Sequence, residues 1–450
     1  LTSALRGLGT IHPEMMTFEQ AISALSSLEK RGWRLGLDRM LAFLAEAGLT
    51  AATGAGPESP KYIHVAGTNG KGSTTAFLQS LLVEQGFETG AFFSPYVFDP
   101  RERVQIGREP ISKEEFALGI ETLMPVGERL NSTELGGPTE FEMKTALGFW
   151  AWMRQQCEWV ALEVGLGGRL DATNVVTPRA SVIVSIGWDH MALLGNTLGQ
   201  IAAEKAGIIK PGVPVIVGSM EPEPMEVILK IARERNAPVW RLGQEIELHP
   251  TMAGFQVKTP QRTYIGLRPG LPGQYQPANM ALAVAALEAA GAVRDPERVR
   301  LGVEKAWLPG RYQKIEALGR VWLLDGAHNV NAAEALAEAL FEEYGPRRFV
   351  TITSMLSGHD PQPFYEKLSG PIRTALVAPI DFFRAIPPRE LAPSLAEVLA
   401  DVVPMDSQSE AIDAAIAATQ PGEVILVTGS FYLVGQIGNR LLKELSSPAE

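Results

Sequence analysis

The chain has 450 residues, 46% of them hydrophobic and 20% charged, with a formal net charge of −11. That composition supports a sizeable folded core, and at roughly 100–200 residues per domain it allows two large domains. The acidic balance argues against a general nucleic-acid or anionic-membrane binder, since both need a basic surface, and the single cysteine, Cys157, excludes an intrachain disulfide and a Cys-rich zinc site.

No uninterrupted apolar run reaches the roughly 18 residues of a membrane span. The stretch that begins at Leu1 lacks the basic-then-apolar pattern of a secretory leader. Together with the lone thiol, this points to the cytoplasm. The first 60 residues read as mostly helical, because Phe18, Ile22, Leu25 and Leu28 recur at helical spacing. A Gly/Pro/Ser-rich loop follows at 51–60. YIHVA (62–66) reads as a buried strand and Lys71–Gln85 as a helix stopped by Gly86. GAFF (90–93), WVALEV (159–164), SVIVSIG (181–187) and VPVIVG (213–218) read as further strands. Their near-continuous apolarity suits a parallel sheet covered on both faces. A β-rich stretch is expected at 238–268. The rhythm restarts with VWLLD (321–325), RFVTIT (348–353), TALVAP (374–379) and EVILVTG (423–429). The expected fold class is therefore α/β, with a larger unit over 1–308 and a smaller one over 309–450.

The strongest local signal is Gly67-Thr68-Asn69-Gly70-Lys71-Gly72-Ser73, between the first strand and its helix. Glycines let backbone N–H groups approach phosphate oxygens, the helix N-terminus adds positive potential, and Lys71 supplies a point charge. Glu163 ends an apolar strand, where α/β sheets place ligands; taken alone it reads equally as a cap or an ion-pair partner. The glycines after it fail the G-x-G-x-x-G dinucleotide pattern, because position 170 is Leu. Asp189 and His190 also follow a strand, and His190 with Glu163 fits a shared metal, although a lone His is more often a packing residue. Glu204 and Lys205 read by composition as a solvated helical pair. Arg311, at the joint between the units, reads equally as a phosphate contact or an interdomain ion pair. Asp325-Gly326-Ala327-His328-Asn329 is the second unit's best ligand site, or else a turn whose polar residues are local caps. Ser430 follows the last strand. Cys157 reads as packing, and His12, His64, His249 and His359 are scattered in sequence. No G-x-S-x-G elbow or H-E-x-x-H motif occurs.

Taken together, the segments resemble the folylpolyglutamate synthase/dihydrofolate synthase family of the Mur ligase superfamily. The resemblance rests on GTNGKGS (67–73), SPYVFDPRERV (94–104), TEFEMKTALGF (139–149), EVGLGGRLDATN (163–174), Asp189-His190 with LGNTLGQIAAEKAGIIKPG (194–212), PGR (309–311), DGAHN (325–329) and TGSFYLVG (428–435), in this order. It implies a P-loop ATPase domain with a mostly parallel sheet plus a smaller, Rossmann-like C-terminal α/β domain. It implies an ATP-dependent carboxylate–amine ligase that adds L-glutamate to dihydropteroate or to the γ-carboxylate of a folate through an acyl phosphate.

The resemblance also implies site roles. Thr68, Asn69, Gly70, Lys71, Gly72, Ser73, Asn279, Arg311 and Asp325 would contact ATP. Ser94, Glu163, His190 and Lys205 would hold two Mg2+ ions, one of them through a carbamylated Lys205, which overturns the solvated-pair reading. Thr139, Glu140, Phe141 and Glu142, with Leu170, Asp171 and Ala172, would meet the pterin substrate. Asp325, His328 and Ser430 would face the glutamate. A cytoplasmic monomer acting on small molecules, with no nucleic-acid or membrane partner, is expected. Tyr96 departs from the His often found after Ser-Pro in the family, and Trp188 places bulk beside His190. Two other readings compete: a Mur-type ligase of a cell-wall precursor, active with a nucleotide-sugar acceptor, and a non-catalytic P-loop switch, which would bind ATP without acceptor-dependent phosphate release.

Overall fold

A computed structural model describes residues 15–446, apart from Trp33, Ala55 and Pro57. The segment with Leu1 and His12, and part of the loop expected at 51–60, lie outside the described residues. Two helices, Phe18–Leu28 and Asp38–Glu46, open the described chain. Thr17 caps the first: its hydroxyl accepts the Gln20 N–H and the Gln20 side chain accepts the Thr17 N–H, which satisfies donors the helix leaves free.

An eight-stranded sheet follows, from β1 (Lys61–Ala66), β2 (Thr89–Phe92), β3 (Val104–Ile106), β4 (Glu109–Pro110), β5 (Trp159–Glu163), β6 (Ala180–Ile183), β7 (Val215–Val217) and β8 (Val239–Arg241). Its spatial order is β4-β3-β2-β5-β1-β6-β7-β8. From β2 to β8 the pairs are parallel, while β3 and β4 run antiparallel at one edge. Strands as short as β3 and β4 carry no readable periodicity, so the sequence did not announce them. Alternate residues feed two cores. Tyr62, Phe92, Val160 and Leu162 join one apolar cluster; Ile63, Val65, Ala91, Ala161 and Val182 join the other. The helix Gln276–Ala289 is buried from Asn279 to Glu288, and between those two polar residues it is apolar on all sides, as a helix buried all round must be.

The β-rich stretch expected at 238–268 divides. Val239–Arg241 extends the large sheet, and β9 (Glu247–Thr251), β10 (Gly254–Lys258) and β11 (Thr263–Leu267) form an antiparallel sheet of their own. A six-stranded sheet then comprises β12 (Gln313–Ala317), β13 (Arg320–Leu324), β14 (Phe349–Thr353), β15 (Ile372–Val377), β16 (Val402–Pro404) and β17 (Val424–Thr428), in the order β12-β13-β17-β14-β15-β16. It is parallel except for β12. Trp322, Leu324, Ile352 and Val427 pack on one face, Leu323, Phe349, Val377 and Leu426 on the other.

The two bodies share a seam. Val97, in the loop after β2, belongs to the second sheet's apolar core. The helix Phe431–Ser446 receives this loop at two glycines: a Cβ on Gly435 would overlap the Val97 carbonyl, and one on Gly438 would overlap the Phe98 ring. Asn439 Nδ2 donates to the Phe98 carbonyl at 2.9 Å.

Candidate active site

Because β2, β5, β1 and β6 are parallel, their C-terminal ends meet along one edge, where doubly wound sheets bind ligands. β1 delivers the glycine-rich loop 67–73 there. Gly70, the N-cap of the helix Lys71–Glu84, has φ +80°, a conformation glycine adopts without strain. A Cβ on Gly70 would stand 2.6 Å from Asn279 Oδ1 and 2.7 Å from Val184 Cγ1. The predicted strand 181–187 ends at Ile183; the remainder leaves the sheet to brace the loop. Thr68 N donates to the Ser185 carbonyl at 2.8 Å, Asn69 N to Ser185 Oγ at 3.0 Å, and Gly187 N to Thr68 Oγ1 at 2.9 Å. Gln276 Nε2 donates to Ser73 Oγ at 3.2 Å, and Asn279 Nδ2 to Gln276 Oε1 at 3.1 Å. Lys71 Nζ folds back on the Gly67 and Thr68 carbonyls at 2.9 and 3.1 Å.

Every predicted site residue except Lys205 lines one cleft between the two sheets. Lys205 lies under the loop, 4% exposed, with Nζ 3.0 Å from the Gly67 carbonyl. Burial, then the nearby Lys71 charge, pulls its amine down to about 7. This corrects the compositional reading of a solvated Glu204–Lys205 pair, since Glu204 bonds to Arg169 at 2.8 Å instead.

Glu163 ends β5 at 2% exposure, and its Oε2 accepts the Ser94 N–H at 2.9 Å. Burial raises its carboxyl to about 7 against the opposing pull of Lys71 and the Ser94 N–H. His190 sits at φ +48° beside Asp189, with Nε2 3.7 Å from Asp189 Oδ1. Burial lowers the His190 ring below its ordinary range. Asp189 stays below its ordinary range: burial pushes it up, but His190, His328, Lys71 and Lys205 outweigh that. Its Oδ1 is buried without a hydrogen-bond partner. Trp188 is 51% exposed. Among the described residues no three or more His, Cys, Asp or Glu side chains gather closely enough to hold a metal ion. Ser94, Glu163, His190 and Lys205 include two such side chains. A hard divalent cation fits here because it also takes hydroxyl, water and phosphate oxygens, and buried oxygens on Glu163 and the unpartnered Asp189 Oδ1 favour a cation.

The second sheet brings the other half. Asp325 follows β13, where its Oδ2 accepts the Tyr312 N–H and its Oδ1 the Ala327 N–H, each at 2.9 Å. Burial raises this carboxyl, opposed by Arg311. Arg311 stands 4.2 Å over the Phe431 ring. His328 Nδ1 lies 2.8 Å from the Gly326 carbonyl, and withdrawal from water lowers the ring to about 4. Asn329 caps the helix Val330–Tyr344 through Ala332 N at 3.0 Å. Ser430 Oγ accepts the Tyr432 N–H at 3.2 Å. His359, scattered in sequence, is drawn in: its ring centroid is 5.6 Å from that of His328 and 6.4 Å from that of His190.

On the acceptor side the predicted residues divide. Thr139 and Glu142 form a capping box, and Glu142 Oε2 also accepts from Arg39 Nε at 2.7 Å in a buried ion pair. Asp171 accepts from Leu166 N at 2.8 Å, Thr173 N at 3.0 Å and Thr173 Oγ1 at 2.5 Å. These carboxylates brace the walls. Phe141 fills the space a Cβ on Gly165 would need. Leu170 and Ala172 line the cleft, and Glu140 pairs with the buried Lys144. Sequence reasoning missed Arg39, Arg103, Lys144 and His359. Arg103 and Lys144 stood inside the quoted SPYVFDPRERV and TEFEMKTALGF segments, whereas nothing local marks Arg39 or His359.

Two family models match the chain: the Mur ligase middle domain over residues 65–287 and the Mur ligase glutamate ligase domain over 310–431. The dihydrofolate synthase/folylpolyglutamate synthase of Bacillus subtilis is 37% identical over 441 residues, spanning 94% of this chain and 99% of that protein. The Escherichia coli protein of the same name is 32% identical, spanning 92% and 93%. Among solved structures, E. coli FolC in complex with DHPP and ADP aligns with a TM-score of 0.84 at 31% identity, over 97% of this chain and 100% of that one. The Yersinia pestis bifunctional enzyme complexed with AMPPNP and Mn ion aligns at 0.82 and 28% identity, over 96% and 100%.

Proposed function

This chain belongs to the folylpolyglutamate synthase/dihydrofolate synthase branch of the Mur ligases, and from that premise we propose how its residues share the work. It is an ATP-dependent ligase that joins L-glutamate to folates. Relatives of full length bear both activity names, and we assign both acceptors, dihydropteroate and folates, to the one cleft. Residues 1–308 form the ATP-binding domain and 309–450 the glutamate-ligase domain. The gap between the two family matches and the start of the second sheet at Gln313 support that division.

The observation that carries the reading is the meeting of a phosphate loop and an Asp325–His328 turn in one cleft. An ionised carboxylate is a poor electrophile. Transfer of the ATP γ-phosphoryl group to the acceptor carboxylate turns its oxygen into a good leaving group. The glutamate amine then attacks the carbonyl carbon, the C–O bond to phosphate breaks, and the amine's proton is lost as the amide forms. Phosphoryl transfer needs positioning and charge neutralisation more than covalent help. The backbone of Thr68, Asn69, Gly70, Gly72 and Ser73, with Lys71, grips the phosphates, and Asn279, Arg311 and Asp325 hold the rest of the nucleotide.

Ser94, Glu163, His190 and Lys205 would hold divalent cations, in this reading two Mg2+ ions. When bound, these supply the charge neutralisation that lone pairs of the site cannot. As a carbamate, Lys205 would hold the second ion. Burial lowers its amine to about 7, so the neutral form is available to add to CO2, releasing a proton and leaving a carboxylate. His328 donates from Nδ1 to the Gly326 carbonyl, which leaves the Nε2 lone pair to orient the glutamate amine. Asp325 and Ser430 complete that end, while Thr139, Glu140, Phe141, Glu142, Leu170, Asp171 and Ala172 shape the pterin wall. Among the described residues no helix is long and apolar enough to cross a membrane; a cytoplasmic monomer acting on small molecules completes the proposal.

The test is phosphate release from Mg-ATP and L-glutamate, with dihydropteroate in one tube and tetrahydrofolate in another. Release in both is expected. Release in neither, from a protein that still binds ATP, overturns the reading.

A further inference from the structure

Arg103 is a buried cation without a counterion. It closes the 3-10 turn Pro100–Arg103 and is 7% exposed, yet it lines the cleft. No carboxylate pairs with it among the described residues. Nη1 donates to Ser94 Oγ at 3.0 Å, and Nε is buried with no partner at all. Three rings hold the guanidinium in place: its Cζ lies 5.4 Å from the Phe141 centroid, 5.6 Å from that of Phe92 and 5.8 Å from that of Tyr96. Lys144 adds a second buried cation, 5.3 Å over the same Tyr96 ring and paired with Glu140. Of these two buried cations, Arg103 is the one that no carboxylate pairs within ion-pair distance among the described residues.

Rings weaken the cost of burying a guanidinium but do not remove it. An unpaired buried charge costs several kcal/mol unless an anion completes it. A planar fork with an unused N–H matches a carboxylate. The position selects which one. Through Ser94, Arg103 adjoins Glu163 and the phosphate loop. Phe141, one of its three rings, packs on Gly165 just beyond Glu163, so Arg103 stands beside the strand end that carries that carboxylate.

We propose that Arg103 anchors the acceptor's reacting carboxylate and holds it in line for phosphoryl transfer. This rests on the ligase reading above. Arg103 then acts as a specificity residue, accepting anionic acceptors and rejecting neutral ones of the same shape.

Turnover of dihydropteroate and tetrahydrofolate by the unaltered protein comes first; failure with both overturns the ligase reading and this inference with it. Given turnover, Arg103→Gln is expected to raise the acceptor KM by roughly thirtyfold or more, with the KM for ATP and for glutamate within about threefold. Competition by pteroate and by its carboxamide gives a readout that a structural role does not move. The unaltered protein should prefer the carboxylate by about tenfold or more, and Arg103→Gln should lose that preference. A retained preference, or three KM values rising together, overturns the inference and leaves the ligase reading intact. Should Arg103→Gln fail to fold, Arg103→Lys decides: it keeps the charge and loses the fork, so a raised acceptor KM supports the anchor and an unchanged one overturns it.

Discussion

Asn69 and Asn329 exchange amide hydrogen bonds across the cleft, Nδ2 to Oδ1 at 3.4 Å one way and 3.0 Å the other. One sits in the glycine-rich loop after β1, the other caps the helix Val330–Tyr344. The pair ties the turn after β13 to the loop after β1. Asn329 also caps its helix, so two roles must be separated. Asn329→Ser keeps an oxygen for the cap and removes the latch; Asn329→Ala removes both. Both are expected to lower turnover about tenfold by loosening the docked arrangement, whereas only the Ala variant loses about 1 kcal/mol of stability. Steady-state kinetics beside urea unfolding checks this. A Ser variant with full turnover would show that the latch is incidental.

Gly70→Ala should cripple nucleotide binding. The new Cβ meets Asn279 Oδ1 and Val184 Cγ1 inside contact distance, and the φ of +80° is strained for any other residue. The strain alone is on the order of 1–2 kcal/mol. ATP affinity, by fluorescence titration, is expected to fall at least tenfold, and near-normal affinity would remove the loop from the site.

Lys205→Ala should lower phosphate release by on the order of a hundredfold. Acetate or another short acid, standing in for the carbamate, should restore part of it. Full activity without added acid takes Lys205 out of the mechanism, and loss without rescue under any acid refutes the carbamate.

His64 predicts how stability follows pH. It is buried in β1, with Nε2 2.9 Å from Thr173 Oγ1, and burial, then Lys210, lowers it from 6.5 to about 3. The folded state keeps the ring neutral while the unfolded chain takes up a proton below 6.5. Its contribution is therefore complete above pH 6.5 and drains away as pH falls toward 3, by about 2 kcal/mol between pH 7 and pH 5. Denaturation of the protein and of His64→Asn at both pH values isolates this contribution. Parallel losses in the two proteins would show that His64 does not carry it.

Much of the fold could be read locally. Near-continuous apolar runs marked β1, β5, β6 and β7, and the glycine–lysine segment marked the turn between β1 and its helix, because strand, turn and helix start are decided by neighbours in sequence. The resemblance of eight ordered segments implied the family, which composition alone did not. Other features were illegible for a physical reason. Glu142 meets Arg39 across 103 residues, Asn69 meets Asn329 across 260, and His359, after β14, meets His328 from its own sheet and His190 from the other.

By itself, then, the sequence determined the two α/β halves, the glycine-rich turn after β1 and the family, since periodicity, turn residues and ordered motifs are properties of short stretches. Tertiary structure alone decided which polar groups remain available. Asp171 is taken up by backbone amides and the Thr173 hydroxyl, while Arg103 is left buried with an open N–H. Partnership and burial depend on what distant elements bring alongside, and those two quantities decide whether a charged side chain braces a wall or waits for a ligand.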